Sequence, residues 1–287
     1  MDMEKVQLGS PELVKVIIEQ IHANSQQAIP FREYMELCLY HETLGYYRNS
    51  ATKIGKAGDF YTSSSVGTAM GEMLAAYVVN QWRQLDLNDC TLSLVEWGGG
   101  NGRLALHLLD ELQRLEVPCY NRTTYTMIES SEFHQGLQKN NLESHAQRLR
   151  YCTEQQWLAE TIEPKTYIIV IANELLDAFP VHRLRFHNNQ LQESYVAWDE
   201  STQAFIEIWK PLQDMKLQNY ADTEIKEWMN DQIVEVNLAA DTWIYNIANR
   251  ICDGQVILID YGDTAEELYA RHRHLGTLMC YRKHQAS

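Results

Sequence analysis

The sequence predicts a doubly wound α/β domain, and three features carry that prediction. From residue 92 onward the chain contains short apolar runs rich in Val, Ile and Tyr: "LSLVEW" (92–97), "YTMIES" (125–130), "RLRYC" (148–152), "YIIVIANE" (167–174) and "QVILIDYG" (255–262). Continuous apolar runs of this length suit strands buried on both faces of a parallel sheet. The first four are separated by stretches long enough for helices or loops, and alternation of strand and helix is the pattern of an α/β fold. The first run also leads directly into a glycine-rich turn that continues at helical spacing, "GGGNGRLALHLLDEL" (98–112).

The rest of the chain is organised around this core. Residues 11–23 carry one amphipathic helix and residues 30–41 ("PFREYMELCLYH") a second, with Pro30 suited to a first turn. Residues 43–65 are rich in glycine and serine and are expected to be mostly loop. A helix follows in "VGTAMGEMLAAYVVNQWRQL" (66–85), where Gly67 and Gly71 stand four apart and would permit close backbone approach. Between the fourth and fifth runs lies an insertion, 181–254. Residues 181–209 alternate apolar and polar positions around the turn signals "NNQ" and "DESTQ", the pattern of a β-meander. Helices are expected at about 221–231 and 238–252, and "GTLMCYRKH" (276–284) as one more strand. The organisation predicted is an N-terminal helical and loop region (1–90), a nucleotide-binding-type core (91–180), the insertion (181–254) and the remaining core strands (255–287).

Composition narrows the function classes. With 287 residues, 45% apolar and 22% charged, the chain can bury a sizeable core and has ordinary globular composition. No run approaches the roughly 18 apolar residues of a membrane span, so no membrane insertion is expected. The acidic N-terminus resembles neither a signal peptide nor an Arg-rich transit peptide. The net charge of −15 argues against a nucleic-acid partner, and Arg148, Arg150 and the basic positions of 271–283 suit solvated faces. An acidic surface favours a basic substrate, such as an arginine side chain or a basic peptide. None of the six cysteines forms a C-x-x-C pair, and most read as reduced core residues of a cytoplasmic protein. The ten histidines lack metal-ligand spacing; His272 and His274, two apart on an expected helix, point to different sides. No metal site is predicted.

The glycine turn carries the first chemical signal. Gly98, Gly100 and Gly102 alternate, with Gly99 added. Glycine permits positive φ and lets a ligand touch the main chain, and a following helix offers unpaired N–H groups. A dinucleotide fingerprint G-x-G-x-x-G would place its third glycine at position 103, which is Arg103. The spacing here is G-x-G-x-G. Glu96 stands two residues before the first glycine, where it would repel a pyrophosphate but suits a ligand bearing an ammonium group. S-adenosyl-L-methionine (SAM) is such a ligand. Glu129, at the tip of the next strand, can accept hydrogen bonds from both ribose hydroxyls. An ordinary strand-to-helix turn and a helix-capping role for Glu129 are the plainer readings.

The second signal is "IANELLDAFPVHRL", which places Asn173, Glu174 and Asp177 where the fourth strand ends. Ligands of open α/β sheets lie outside the carboxyl ends of strands. Glu174 and Asp177 are three apart and share a face on a helical turn. Paired carboxylates can grip a guanidinium and orient a nitrogen lone pair toward an electrophilic methyl group. They could equally cap a helix N-terminus; the residues alone leave both readings open.

Seven stretches together resemble the MidA-type SAM-dependent methyltransferases: "IPFREYMELCLYHETLGYY" (29–47), "GDFYTSSSVGTAMGEMLA" (58–75), "VEWGGGNGRL" (95–104), "IESSEFHQGLQ" (128–138), "NELLDAFPVHRL" (173–184), "LIDYG" (258–262) and "GTLMCYRKH" (276–284). They span nearly the whole chain in the family's order; "GDFYT" and "NELLDAFP" are the most specific. The resemblance implies a Rossmann-like class I methyltransferase sheet and SAM as cofactor. It further implies that Gly58, Asp59 and Thr62 belong to the cofactor and substrate pocket and that Glu174 and Asp177 face the substrate. Mitochondrial members of the family assist respiratory complex I assembly and are protein arginine methyltransferases, so the expected substrate is an accessible arginine of a protein. The family usually has proline and glutamate where this chain has Ser64 and Ser65. Family members also continue past the "YRKH" run with a helix and strand that complete the sheet, so the sheet is expected to lack its C-terminal part. The alternatives are a non-catalytic SAM-binding assembly factor, with the β-meander as partner surface, and a small-molecule N- or O-methyltransferase. A bacterial cytoplasmic location is expected.

Overall fold

The structure is a computed structural model that describes residues 10–48, 67–282 and 285–286. In chain order the elements are α1 (Pro11–Ala23), β1 (Ile29–Pro30), α2 (Phe31–Tyr40), α3 (Ala69–Gln84), β2 (Thr91–Trp97), α4 (Arg103–Leu115), α5 (Val117–Asn121), β3 (Thr123–Ile128), α6 (Glu132–Asn141), β4 (Leu149–Cys152), α7 (Glu154–Ala159) and β5 (Thr166–Asn173). Then follow β6 (His182–His187), β7 (Gln190–Asp199), β8 (Ala204–Pro211), α8 (Met215–Glu224), β9 (Gln232–Val236), α9 (Leu238–Arg250), β10 (Gly254–Ile259), α10 (Ala265–Leu268), β11 (Tyr281–Arg282) and β12 (Gln285–Ala286). Packing divides the chain into two units. One comprises Met1–Asn49, Phe179–Asp241 and Gly262–Met279; the other comprises Ser50–Ala178, Thr242–Tyr261 and Cys280–Ser287.

The second unit holds a five-stranded, fully parallel sheet of order β10-β5-β2-β3-β4. The chain moves outward from β2 through β3 to β4, then returns to the other side of β2 with β5. That reversal puts the topological switch point between β2 and β5, where open α/β sheets bind ligands at the strands' carboxyl ends. The even-numbered residues of β2 face the apolar core shared with α3 and α4, in which Leu92, Leu94, Val78, Trp82, Leu104, Leu108 and Tyr125 are buried. Alternation turns Trp97 to the opposite face, where its ring meets Trp157 and Trp243 edge-on at 5.0 and 5.5 Å. Gly71 fits the expected close approach: a Cβ there would lie 2.5 Å from His107 Cβ, so α3 and α4 touch backbone to backbone. Gly67 has nothing within 4 Å and serves no such contact.

The first unit holds an antiparallel sheet of order β1-β7-β6-β9, with β8 also paired to β7. The expected meander is β6–β7–β8. Its first turn is made by Asn188 and Asn189, both at positive φ (49° and 60°), as a two-residue turn that matches strand twist requires. Leu13, Ile17 and Ile21 of α1 pack with Ile29 and Val196, while Leu217 and Ala221 of α8 pack with Leu184, Val234 and Val236.

Several expectations are corrected. Pro30 lies in β1 and caps α2 from outside its first turn. The helix expected at 221–231 is Met215–Glu224, set by Asp214, whose side chain accepts the Lys216 N–H at its start. Ile225 and Trp228 continue the apolar spacing but pack on the sheet from irregular chain. Among the described residues of "GTLMCYRKH" only Tyr281–Arg282 is a strand, and it pairs with Gln285–Ala286 in a separate two-stranded sheet, not with the parallel sheet. Gly276 takes φ +85°, and Thr277 gives its N–H to Glu235 at 2.7 Å, which fixes that segment as a loop. His272 lies in a three-residue 3-10 turn, Arg271–Arg273, that His274 follows. Of the six cysteines, Cys119 is buried and Cys38 and Cys90 pack against the cores, whereas Cys152 is half-buried and Cys252 and Cys280 are exposed, so half rather than most are core residues. Among the described residues no helix is long and apolar enough to cross a membrane.

Candidate functional site

The glycine turn lies at the carboxyl end of β2, on the switch point. Glycines 98, 100 and 102 take φ of +65°, +52° and +79°. That left-handed region costs other L-residues roughly 1–2 kcal/mol each. The Gly98 N–H donates to Ile128 O (3.0 Å) and the Gly102 N–H to Gly99 O (2.8 Å), which folds the turn tightly against β3. Gly99 matters for another reason. A Cβ there would stand 2.5 Å from Met127 Cε and 2.9 Å from Glu96 Oε2, so the turn sits directly on the Glu96 carboxyl.

Glu96 is 2% exposed, and the Tyr125 hydroxyl donates to its Oε2 at 3.0 Å. Burial pushes its pKa up to about 7; the Tyr125 bond opposes the rise and the charge of Glu129 adds to it. Such a carboxyl gains its charge readily when a cation arrives. Glu129 follows β3. Its Oε1 accepts the Ser131 N–H at 2.8 Å, and its Oε2 lies 3.9 Å from His134 Nδ1. Ser131, not Glu129, caps α6.

Two amides on α6 brace the turn from outside, a feature the sequence reading missed. Gln138 Nε2 donates to Gly100 O and Asn141 Nδ2 to Asn101 O, both at 2.9 Å. Polar residues on an amphipathic helix give no local signal of such a role. Gln138 is fully buried.

The acid corner lies at the end of β5. Asn173 closes the strand, and its Oδ1 is buried with no hydrogen-bond partner among the described residues. A buried acceptor left unpaired costs roughly 1–3 kcal/mol, which a ligand donor would relieve. Glu174 turns the chain at φ +49° and gives its N–H to Ile259 O at 2.7 Å, tying this corner to β10. The chain then makes a 3-10 turn, Leu176–Ala178, rather than the start of a helix. The turn's N–H groups go to Asp260, a residue to which the sequence reading assigned no role: its Oδ2 accepts from Leu176 (2.8 Å) and Asp177 (3.2 Å). Asp177 has its pKa raised to about 6, first because its neighbours desolvate the carboxyl, then by the charges of Asp260 and Glu174. The two corners meet, since a Cβ on Gly98 would stand 3.2 Å from Leu175 Cδ1. The structure therefore brings together Glu96, Gly98, Gly100, Gly102, Glu129, Asn173, Glu174 and Asp177 along one crest of the sheet. Gly58, Asp59 and Thr62 lie outside the described residues.

A bare left-handed turn between two carboxyls, beside the buried Asn173 Oδ1, fits a nucleoside with a positively charged tail better than a pyrophosphate. Fold and crest together are typical of class I SAM-dependent methyltransferases. A family model described as "Putative S-adenosyl-L-methionine-dependent methyltransferase" matches residues 73–287, and the chain belongs to that family, the MidA-type methyltransferases. The family's cofactor, and this chain's, is SAM. The chain is 28% identical over 213 residues to the mitochondrial protein arginine methyltransferase NDUFAF7 homolog of Drosophila melanogaster, covering 66% of this chain and 45% of that relative. It is 25% identical over 254 residues to mitochondrial NDUFAF7 of Danio rerio, covering 82% and 58%. The chain thus spans about half the length of these curated relatives. A crystal structure of a candidate methyl transferase from Burkholderia thailandensis, bound to S-adenosyl-homocysteine, superposes with a TM-score of 0.80 at 25% identity, covering 97% of this chain and 71% of that one.

Proposed function

We propose that this chain transfers a methyl group from SAM to an arginine side chain of a protein substrate. The observation that carries the reading is the corner at the end of β5, where the unpaired Asn173 Oδ1 stands beside Glu174 and Asp177. The relatives named as protein arginine methyltransferases agree with it. Backbone of the turn from Gly98 to Gly102 would cradle the nucleoside, Glu129 would accept its ribose hydroxyls, and Glu96 would charge against its ammonium group. SAM supplies an electrophilic methyl group on a sulfonium.

Glu174 and Asp177 would hold the guanidinium through parallel hydrogen bonds, and Asn173 Oδ1 would accept a third. That geometry aims one nitrogen at the methyl group, and such orientation is a large part of a transfer rate. A guanidinium is a poor nucleophile while fully protonated. As the nitrogen–carbon bond forms, a proton must leave, and a carboxylate whose pKa lies near 6 can take it. Gly58, Asp59 and Thr62 are assigned to the same pocket on the family resemblance.

The test is labelled-methyl transfer to extract proteins followed by mass spectrometry. Methylarginine is expected with the parent protein, and its loss with Glu174→Gln or Asp177→Asn while SAM still binds. Methyl transfer to other residue types or to small molecules would overturn the arginine assignment. Binding without any transfer would favour a non-catalytic assembly factor.

A further inference from the structure

The turn that carries Asp177 has a local bond, from the Ala178 N–H to Leu175 O at 3.3 Å. Leu176–Ala178 is too short to sustain itself by repeated hydrogen bonds, and Glu174, two residues before it, sits at positive φ. Further bonds reach it from 83 and 84 positions on. Asp260, just past the end of β10, accepts the N–H groups of both Leu176 and Asp177 on one oxygen and the Tyr261 N–H on the other, at 2.8, 3.2 and 2.8 Å. One strand pair upstream, the Glu174 N–H to Ile259 O bond sets the two chain ends in register, continuing the ladder in which Ile259 faces Asn173. All of this lies within the parallel-sheet unit.

From this geometry we infer that Asp260 is the positioning residue of the acid corner: its carboxylate fixes the turn so that Asp177 projects beside Asn173 and Glu174. The inference rests on the proposed role of that corner. Two functions combine in one side chain. The accepted N–H bonds set where the Asp177 backbone lies. The negative charge, with that of nearby Glu174, disfavours a third anion at Asp177; among the described residues these are the charged groups set against it. Neutral Asn at 260 would keep an acceptor for the turn and remove the charge. Ala would remove both.

Those two variants separate the functions without requiring turnover. In Asp260→Asn, the Leu176 and Asp177 amides should stay protected in hydrogen exchange, while the Asp177 carboxyl, followed by ¹³C NMR, should titrate at lower pH than in the parent protein. In Asp260→Ala, exchange of the same two amides should speed up at least tenfold, with SAM affinity within about twofold of parent. Methyl transfer, measured against pH, should follow. The acidic limb of the Asn variant should move to lower pH, and kcat of the Ala variant should fall at least tenfold, with Asn recovering most of that loss. An unshifted Asp177 titration in the Asn variant, or unchanged amide protection in the Ala variant, overturns the inference. Loss of SAM binding in step with turnover also overturns it, since the residue would then serve the cofactor turn. Should the Ala variant not fold, the Asn titration decides alone. If the parent protein methylates no arginine, the substrate reading fails, whereas the exchange and titration results still judge Asp260.

Discussion

Where β2 ends the molecule presents main chain, and where β5 ends it presents carboxyls. The first corner is built from glycines in left-handed conformation, pressed onto a buried acid and braced by two amides of α6. The second is built from Asn173, Glu174 and Asp177, held by a carboxylate from just past the neighbouring strand β10. The difference teaches a division of work. A cofactor recognised by shape and by its ribose and ammonium groups needs little beyond an uncovered backbone and two acids. A group that must give up a proton during transfer needs titratable side chains whose affinities are tuned.

The sharpest way to break that division is at the glycines. Gly102→Val forces a β-branched residue to φ +79° and drives a Cβ to 3.0 Å from Leu142 Cδ1 and 3.2 Å from Gln138 Cγ. Strain and overpacking together should cost roughly 2–5 kcal/mol of stability, and calorimetric titration should detect no SAM binding. At the other corner Asp177→Asn should leave SAM affinity within about twofold and cut turnover by about 10²–10⁴, the range of general acid–base catalysis. A parallel loss of binding and turnover there would erase the distinction.

A smaller effect sharpens the comparison through pH. The carboxylate form of Asp177 is the one that accepts a proton, so turnover should rise as pH increases through about 6 and fall below it; a pH–rate profile of the parent enzyme checks this. Glu96 works in the opposite sense on stability. Its folded pKa of about 7 lies above the ordinary carboxylate value of 4.5, so the folded state binds the proton more tightly. Stability from this group is fully present below 4.5 and declines as pH rises to about 7. Glu96→Gln, which keeps an acceptor for Tyr125, should therefore be more stable than the parent by roughly 1–3 kcal/mol at pH 8 and show no such gain at pH 4. It should also bind SAM more weakly at pH 8, where the parent carries a full charge. Chemical denaturation at the two pH values measures the first effect and calorimetry the second.

Much of this was legible in the sequence because it is local. Apolar runs marked all five parallel strands, and the glycine spacing marked the turn, since both features are written in consecutive residues. Gly71 advertised a close helix contact in the same way. What lay hidden depends on which strands become neighbours. Asp260 acts on Asp177 only because β10 pairs with β5, and no spacing rule connects positions 83 apart. Gln138 reaches Gly100 only once α6 packs beside the turn. The misplaced helix has a physical reason too. Ile225 and Trp228 extend the apolar spacing of α8, but they fill the antiparallel unit's core from irregular chain, Trp228 stacking on Phe186 at 5.9 Å.

The most direct measurement is a crystal structure of this chain with S-adenosyl-homocysteine and an arginine-containing peptide. The account predicts the nucleoside over the turn from Gly98 to Gly102, its ribose hydroxyls on Glu129, and the sulfur facing a guanidinium held by Asn173, Glu174 and Asp177. A nucleoside bound elsewhere, or acids at the end of β5 turned away from the peptide, would contradict it.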